Sequence, residues 1–257
     1  MNLNFILKKI IKKNNFEETN SLTQFCIKKN YHHRKNSKYF EDEESNLGGI
    51  TYQPDIYGFA SFLAEKSGCS CIIDIGCGNA KKLVSLHPNF KIIGIDYGKN
   101  INECKKNYPF GTWINSNLES SDLTKSMNEN LSKSMIICSD VIEHLINPSN
   151  LLSNIRILMN HSRICLITTP ERDLTRGKND FGPPINKHHI REWNFSELEQ
   201  LLKSYNLDLV ISGLTASSDL NFENKTMFFV LGNHNKNEIL KKLTDFKGEH
   251  TKILKKY

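Results

Sequence analysis

The sequence lacks an apolar run long enough to cross a membrane, which takes about 20 predominantly apolar residues in a row. A short apolar stretch at the N-terminus is broken by lysines, so we expect neither a secretion signal nor a membrane span. These lysines are Lys8, Lys9, Lys12 and Lys13. No segment is repeated, and no dense block of Lys and Arg with interleaved aromatic residues accompanies the net charge of +6. Charge alone therefore does not predict a nucleic-acid partner.

The even cysteine count of a disulfide framework is also missing. The chain has seven cysteines, and Cys71, Cys138 and Cys165 fall within predicted core strands. This pattern indicates reduced thiols and a cytoplasmic protein. Cys69, Cys71 and Cys77 have side chains that can bind metal, but Cys71 and Cys77 are better explained as strand and turn residues. We therefore predict no metal site from the sequence.

The length of 257 residues suits one large domain, or one domain with extensions. Residues 1–48 are rich in Asn and Lys and include an acidic run at 41–44, which predicts a partly helical extension or lid without its own core. Residues 49–233 carry the regular apolar patterns of a folded domain. Residues 234–257 are basic and predict a helical tail.

Alternating strand and helix patterns run through the central domain. The predicted strands are 71–75, 91–96, 112–115, 134–139, 163–168, 207–214 and 226–231, and the predicted helices are 52–67, 81–86, 100–108, one starting at Pro148 and one with a capping box at Ser196 and Glu199. A long irregular stretch separates the fifth strand from Trp193. This alternation predicts an α/β fold with a mostly parallel sheet, helices on both faces and an antiparallel closing pair.

A glycine turn follows the first apolar strand, in the segment Asp74-Ile75-Gly76-Cys77-Gly78. Strand, glycine turn and helix open a nucleotide-binding unit, in which the helix is expected to present free N–H groups to a ligand. The second strand ends at Asp96, about 20 residues past the first glycine, where a carboxylate can bind ribose hydroxyls. Lys81 stands where a dinucleotide-binding fingerprint has its third glycine, which argues against a nicotinamide oxidoreductase.

From about residue 48 to residue 232 the sequence resembles the class I S-adenosylmethionine-dependent methyltransferases. The glycine turn and Asp96 are similar to that family's cofactor loop and ribose-binding acid. The segment 139–145, Ser-Asp-Val-Ile-Glu-His-Leu, and the segment 166–170, Leu-Ile-Thr-Thr-Pro, resemble the ubiquinone-type O-methyltransferases. The resemblance implies a Rossmann-like sheet of seven strands with the last antiparallel, and S-adenosylmethionine as the cofactor. It says little about the methyl acceptor, which varies widely on this fold.

The resemblance also implies a set of cofactor-binding residues at the carboxyl ends of the first four strands. They are Asp74, Gly76, Cys77, Gly78, Asp96, Tyr97, Asn117, Leu118 and Asp140. The turn residues 76–78 are expected to contact the cofactor through their backbone, and Asp96 to hold the ribose. Tyr97 is either an adenosine contact or a surface aromatic, and Asn117 with Leu118 either flank the adenine or form a plain turn. The chain departs from the family at Ala80, where a third glycine is frequent, and at Asn117, where an acid is frequent.

Two histidines are the candidate catalytic residues. His144 follows the fourth strand, where open sheets bind ligands, and is the first candidate for a general base; the alternative is a capping or supporting role. His189 lies in Lys187-His188-His189-Ile190-Arg191-Glu192-Trp193, a segment similar to ones in methyltransferases of polysaccharide and small-molecule pathways. His189 and Arg191 are expected to bind an acidic or sugar-like acceptor, unless this is a structural loop anchored by Trp193. Arg34 is a further candidate, for the cofactor carboxylate.

The sequence therefore predicts an S-adenosylmethionine-dependent methyltransferase that acts on a small polar or sugar-type acceptor, at oxygen. RNA and protein methyltransferases are the alternatives, and an NAD-binding oxidoreductase is a remote one. Enzymes that methylate base amino groups typically carry an Asn/Asp-Pro-Pro-aromatic segment after the fourth strand, where this chain has residues 139–142, and Pro183-Pro184 lies elsewhere. A non-catalytic cofactor-binding protein is disfavoured because Gly76, Gly78 and Asp96 are all in place. The oligomeric state is not predicted.

Overall fold

The computed structural model describes residues 24–37, 49–127, 131–232, 240–241 and 249–257. The acidic run at 41–44 and the lysine-interrupted N-terminal stretch lie outside these residues. Within them, no helix is both long and apolar enough to cross a membrane.

One mixed sheet organises the described chain. Its strands are β1 (Cys71–Ile75), β2 (Lys91–Asp96), β3 (Thr112–Asn115), β4 (Ser134–Ser139), β5 (Ile164–Pro170), β6 (Leu209–Thr215), β7 (Thr226–Gly232) and β8 (Lys252–Lys256). They lie side by side in the order β3-β2-β1-β4-β5-β7-β6-β8. The first five strands are parallel, whereas β7 runs antiparallel to both β5 and β6. The predicted α/β fold with an antiparallel seventh strand is confirmed.

The strands form where they do because their apolar runs bury both faces of the sheet. In β1, Ile72 pairs with Ile92 of β2 and Met135 of β4, while Ile73 pairs with Ile93 and Ile136. Alternate residues point to opposite faces, so these two rows belong to two separate hydrophobic clusters. The core is therefore a layer of side chains on each side of one buried sheet.

Helices cover both layers. They are α1 (Ile56–Lys66), α2 (Lys81–Val84), α3 (Gly98–Asn107), α4 (Leu123–Ser126), α5 (Ser149–Met159), α6 (Arg172–Arg176) and α7 (Phe195–Ser204), with short 3₁₀ helices at Gln24–Cys26, Leu131–Lys133 and Ile142–His144. The apolar faces of α1 and α3 contribute to one cluster, and those of α5 and α7 to the other. The helix α6 falls inside the stretch that the sequence predicts as irregular.

The N-terminal cap of α7 differs from the predicted one. Asn194 Oδ1 accepts from the Glu197 amide at 2.9 Å, and Glu197 Oε2 accepts from the Asn194 amide at 3.0 Å. The capping box is therefore Asn194 and Glu197, two residues before the predicted Ser196 and Glu199. Both pairs have suitable chemistry, and the bonds of Glu197 to Lys28 and Arg172 decide between them.

The basic tail contains a strand where a helix was predicted. The strand β8 pairs antiparallel with β6 and places Ile253 opposite Gly213. At its end, the Tyr257 amide donates to the Val210 carbonyl at 2.9 Å, and Lys255 pairs with Glu199. The prediction fails because β6 would otherwise end the sheet with unpaired backbone groups, which no local pattern in the tail reveals. The proposed boundaries at residues 48 and 233 stay a prediction.

Close contact between β6 and β8 leads to a test of this added strand. A Cβ atom at Gly213 would collide with the Lys252 carbonyl oxygen and crowd the Phe228 ring. We expect Gly213→Ala to destabilise the protein by about 1–3 kcal/mol and to expose the amides of 252–256. Urea unfolding with hydrogen exchange measures both effects. Gly58→Ala in α1 is the matched control, because a Cβ atom there meets open space. This substitution should stabilise the helix slightly. Unchanged protection of 252–256 in Gly213→Ala would contradict the pairing.

The described part of the N-terminal extension docks against the domain. Ile27 is buried, and the backbone carbonyl of Phe25 accepts from the indole N–H of Trp193 at 2.9 Å. The His32 amide donates to the Phe181 carbonyl and the Arg34 amide to the Ile190 carbonyl. Residues 24–37 therefore brace the segment between β5 and α7.

Candidate active site

The glycine loop lies at the carboxyl edge of the sheet, between β1 and α2. Gly76 and Gly78 have positive φ angles of 78° and 54°, which favour glycine. A Cβ atom at Gly76 would also collide with the side chain of Val141, which follows β4. The loop thus packs directly on the turn after β4, and this contact joins two of the predicted site segments.

The amide groups of this loop are already bonded within the protein. The Gly76 and Cys77 amides both donate to the Ile95 carbonyl, at 2.7 and 3.2 Å. The Gly78 amide donates to Asp96 Oδ2 at 2.8 Å, and the Lys81 amide to Asn79 Oδ1 at 3.1 Å. The helix α2 is only four residues long. Three loop amides and the Lys81 amide therefore do not form a free phosphate cradle, while the expectation of free N–H groups in the rest of α2 stays a prediction.

Asp96 is held in place at the end of β2. It is 8% exposed, and its two carboxylate oxygens accept from the Gly78 amide and, at 2.7 Å, from the Tyr97 amide. Tyr97 itself is half-buried, and burial followed by the Asp96 charge raises the pKa of its phenol. The acid and the glycine loop are thus one rigid unit.

Two further acids line the same edge of the sheet. Asp74 accepts from the Tyr57 hydroxyl at 2.6 Å, which fixes the carboxylate from the side of α1. Asp140, just after β4, has a positive φ of 53°, and its buried Oδ1 has no hydrogen-bond partner among the described residues. Burial raises the pKa of Asp140, whereas Lys82 and His189 lower it. Asp140 therefore interacts electrostatically both with the start of α2 and with the post-β5 segment.

The segment after β3 contains one residue that sequence reasoning missed. Asn117 is exposed, and its Oδ1 accepts from the Glu119 amide at 2.9 Å, as in the turn that was one of its two interpretations. Leu118 is buried in the core cluster. Ser116 is buried, and its hydroxyl has no hydrogen-bond partner within the described chain. A polar residue directly after an apolar strand at this edge is the signal that could have found Ser116.

Gln53 is a second missed residue. It precedes α1, is 1% exposed, and its Oε1 accepts from Ser139 Oγ at 2.8 Å and Thr168 Oγ1 at 2.7 Å. These bonds tie the start of α1 to the ends of β4 and β5. No sequence pattern marks a lone Gln before a helix, so only the fold reveals it.

The segment between β5 and α7 is fastened to the turn after β4. The Ile190 amide donates to the Glu143 carbonyl at 2.7 Å, and the Arg191 guanidinium donates to the Leu145 and Ile146 carbonyls at 3.0 and 2.8 Å. Arg191 is 3% exposed. The structure therefore gives Arg191 a bracing role, in place of the acceptor binding expected from the sequence.

The same segment brings His144 and His189 together. Their rings meet edge to face, with centroids 4.8 Å apart. His144 Nδ1 lies 3.0 Å from the His188 carbonyl oxygen, and His189 Nδ1 lies 2.7 Å from Glu192 Oε1. Because a carbonyl oxygen only accepts, the first contact places a proton on Nδ1 of His144. Burial and the neighbouring His189 lower the pKa of His144 to about 3, so this imidazole is neutral near pH 7.

Arg34 and several residues of the post-β5 segment have structural roles. The Arg34 guanidinium donates to the Pro184 carbonyl at 2.5 Å, so it holds the post-β5 segment. Glu171 caps α6 and accepts from the Phe195 amide, and Arg172 forms a buried ion pair with Glu197. Trp193 is fully buried, as its anchoring interpretation predicts.

Comparison with known proteins identifies the family. A family model described as a methyltransferase domain matches residues 33–212, more than half of the chain. The chain belongs to this methyltransferase family. No curated protein gives a significant match. The strand order and the match together make the protein a class I S-adenosylmethionine-dependent methyltransferase, while the acceptor is not determined.

Solved structures show the same fold at low sequence identity. An S-adenosylmethionine-dependent methyltransferase from Clostridium acetobutylicum ATCC 824 is 14% identical in sequence to this chain, with a TM-score of 0.53. The match covers 74% of this chain and 95% of the other. A similar enzyme from Aquifex aeolicus is 12% identical, with a TM-score of 0.50 over 76% and 98%. The methyltransferase domain of bacterial CtHen1 is 18% identical, with a TM-score of 0.50 over 70% and 98%.

The residues at the carboxyl edge fit S-adenosylmethionine. This cofactor carries positive charge on its sulfonium and amino groups and has no phosphate. The site offers the carboxylates of Asp74, Asp96 and Asp140, and its loop amides are turned to protein acceptors. Acidic groups without a free amide cradle favour a cation over a phosphate. The predicted cofactor is thus compatible with the observed chemistry.

Proposed function

We propose that this methyltransferase transfers the methyl group of S-adenosylmethionine to a hydroxyl oxygen of a small polar or sugar-type acceptor. The sulfonium of the cofactor supplies an already activated methyl group. The protein then has to align donor and acceptor, and alignment of this kind can contribute about 7–11 kcal/mol. The proposal extends the family assignment with the chemistry of the residues opposite the glycine loop.

On the cofactor side, each predicted residue receives a specific role. Asp96 would bind the ribose hydroxyls, with its orientation set by the Gly78 and Tyr97 amides. Since the loop amides have protein acceptors, residues 76–78 would contact the cofactor through carbonyl and Cα groups. Asp74 and Asp140 would face its positively charged groups. Tyr97, Ser116, Asn117 and Leu118 would border the adenosine.

The histidine pair is the observation that supports a hydroxyl acceptor. His144 and His189 lie beside each other after β4 and β5, and both Nδ1 atoms have acceptors on the protein. His189 is also near enough to Asp140 to lower the pKa of that acid. Ring Nε2 atoms suit an acceptor that must lose a proton, as a hydroxyl does on methylation. With a pKa near 3, His144 is a weak proton acceptor, so His189 is the better candidate for a base.

The turn after β4 supports this choice over a nucleic-acid base as acceptor. The segment Ile142–His144 forms a 3₁₀ turn, in place of an Asn/Asp-Pro-Pro-aromatic segment. The resemblance of this turn to the ubiquinone-type O-methyltransferases points to oxygen as the acceptor atom.

Labelled methyl transfer into cell extract tests the acceptor. Protein is incubated with S-adenosylmethionine carrying a radioactive methyl group and with extract that is untreated, nuclease-treated or protease-treated. We expect label in small molecules that survive both treatments, and at least tenfold less label with His189→Ala. His161→Ala, an exposed histidine, is the matched control. Label in nuclease-sensitive or protease-sensitive material would identify RNA or protein as the acceptor and refute the proposal.

A further inference from the structure

Three potential metal-binding side chains converge where the turn after β4 meets the post-β5 segment. Glu143, His144 and His189 each offer one oxygen or nitrogen atom, and these atoms all lie within 4.8 Å of one another. Donors that bind one tetrahedral ion at about 2.0–2.2 Å lie about 3.3–3.6 Å apart, and only opposite donors of an octahedral ion reach about 4.4 Å. A movement of less than about one ångström in each side chain therefore brings the donors into range.

The two histidines are oriented as metal-binding histidines are. A metal-bound imidazole usually donates its other ring N–H to a carboxylate or a backbone carbonyl. Here His189 Nδ1 lies 2.7 Å from the Glu192 carboxylate, and His144 Nδ1 lies 3.0 Å from the His188 carbonyl. Nε2 is then the ligand atom of each ring. On His189, ligation would replace the 3.0 Å contact of Nε2 with the Asn186 amide.

Glu143 provides an independent indication of a missing cation. The residue is fully buried, and among the described residues neither of its carboxylate oxygens has a hydrogen-bond partner. Burial and the neighbouring acid Asp140 raise the pKa of Glu143, and the nearby Thr169 hydroxyl lowers it. Asp140 is also buried and has an unbonded oxygen. Burying a carboxylate without a partner costs several kcal/mol unless a proton or a cation compensates it.

The backbone around these residues is firmly held. The Glu143 carbonyl accepts from the Ile190 amide, and Arg191 donates to the carbonyls of Leu145 and Ile146. Glu192, which orients His189, is itself paired with Arg176 at 2.9 Å. The donor set is thus placed by two connected segments, which is how a metal site is kept in shape before the ion binds.

We propose that Glu143, His144 and His189 form a binding site for one divalent transition-metal ion, with the Asp140 carboxylate beside it. Two imidazoles and one carboxylate suit Mn²⁺, Fe²⁺, Co²⁺ or Zn²⁺ better than Mg²⁺ or Ca²⁺, which prefer oxygen ligands alone. Three protein ligands leave coordination positions open. In a part that rests on the proposed function, one open position takes the acceptor hydroxyl beside the cofactor. The bound ion then lowers the pKa of that hydroxyl in place of base catalysis by His189, whose Nε2 is taken up by the metal, and the hydroxyl proton passes to water.

The rival explanation is that Glu143 stays protonated and needs no ion. Adding Mn²⁺ to the purified protein distinguishes the two cases, and this test does not depend on enzymatic activity. If these residues form a metal site, the protein binds about one Mn²⁺ per chain after chelator treatment and dialysis. Bound Mn²⁺ raises the melting temperature of the protein and shows nitrogen couplings from histidine in pulsed electron paramagnetic resonance. A protonated Glu143 gives none of these signals.

Variants then locate the site. We expect Glu143→Gln and His189→Gln each to weaken Mn²⁺ binding at least tenfold, measured by calorimetry. The exposed controls Glu65→Gln and His161→Gln should bind Mn²⁺ as the unmodified protein does. Wild-type protein that binds no Mn²⁺ at millimolar concentration, or that binds it without nitrogen couplings, would overturn the proposal, and neither result depends on a folded variant. Equal Mn²⁺ affinity in folded Glu143→Gln and His189→Gln would also overturn it.

Binding of S-adenosylhomocysteine separates this proposal from the proposed function. The unmodified protein is titrated with S-adenosylhomocysteine in the same buffer, with and without Mn²⁺. Loss of metal binding in Glu143→Gln with intact S-adenosylhomocysteine binding supports the metal site by itself. Metal binding that persists while no hydroxyl acceptor is found would leave the site standing and refute only its acceptor role.

Discussion

Asp96→Ala is expected to weaken the binding of S-adenosylhomocysteine by about 100-fold or more. A hydrogen bond to a charged group is worth about 1.5–3 kcal/mol, and a ribose offers two hydroxyls to this carboxylate. The substitution also frees the Gly78 amide, whose 2.8 Å bond to Asp96 links the glycine loop to β2. Isothermal titration calorimetry with S-adenosylhomocysteine measures the loss, and titration with NAD gives no binding to either protein.

Two further variants show whether the loss of S-adenosylhomocysteine affinity comes from the Asp96 carboxylate. Asp96→Asn keeps the shape and one acceptor oxygen, so it should lose about tenfold, less than the alanine variant. Asp122→Ala removes an exposed acid that lies outside the site and should change nothing. If Asp96→Ala, with an unchanged melting temperature, binds within threefold of the unmodified protein, Asp96 does not hold the ribose.

Arg172→Met is expected to lower the free energy of unfolding by about 3–5 kcal/mol, because it leaves a buried carboxylate without its counter-ion. Arg172 is fully buried and donates through two nitrogens to Glu197, at 2.6 and 3.1 Å. Glu197 is 3% exposed and also closes the capping box with Asn194. Urea denaturation followed by circular dichroism measures the change.

A double variant and a surface control isolate the cause. Arg172→Met/Glu197→Gln removes both charges and should recover part of the lost stability, since replacing both partners is much less costly than removing one. Lys203→Met breaks an ion pair with Glu199, in which the lysine is 51% exposed, and should cost less than about 1 kcal/mol. Equal effects of Arg172→Met and Lys203→Met would show that burial of the pair does not matter.

The secondary structure of the central domain could be predicted well because its signals are local. Strands β1 to β4 have the predicted bounds, since β1, β2 and β4 are mostly apolar runs with clear ends and β3 is a short segment of strand-forming residues between turns. The capping box and β8 were mispredicted for the opposite reason. Asn194 and Ser196 have equivalent local chemistry, and only the bonds of Glu197 to its distant partners Arg172 and Lys28 select Glu197 for the cap.

The candidate site likewise contains residues that the sequence could place and residues that it could not. Gly76, Gly78, Asp96 and Asp140 could be placed at the carboxyl edge because the glycine turn and the strand ends are visible in the sequence. Arg191 could not be assigned correctly, because its partners are carbonyl groups of a segment more than 40 residues away. Any side chain whose role depends on such a backbone contact is ambiguous in sequence alone.

By itself, the sequence determined the order of strands and helices, the glycine turn, the acid after β2 and the kinship to methyltransferases. These features depend on apolar periodicity and on glycine and acid spacing, which the chain carries locally. The tertiary structure alone decided that the loop amides face protein acceptors, that the tail adds a strand, and that Glu143 joins His144 and His189. Those outcomes depend on which distant groups satisfy a buried polar atom, and such pairing exists only once the chain has folded.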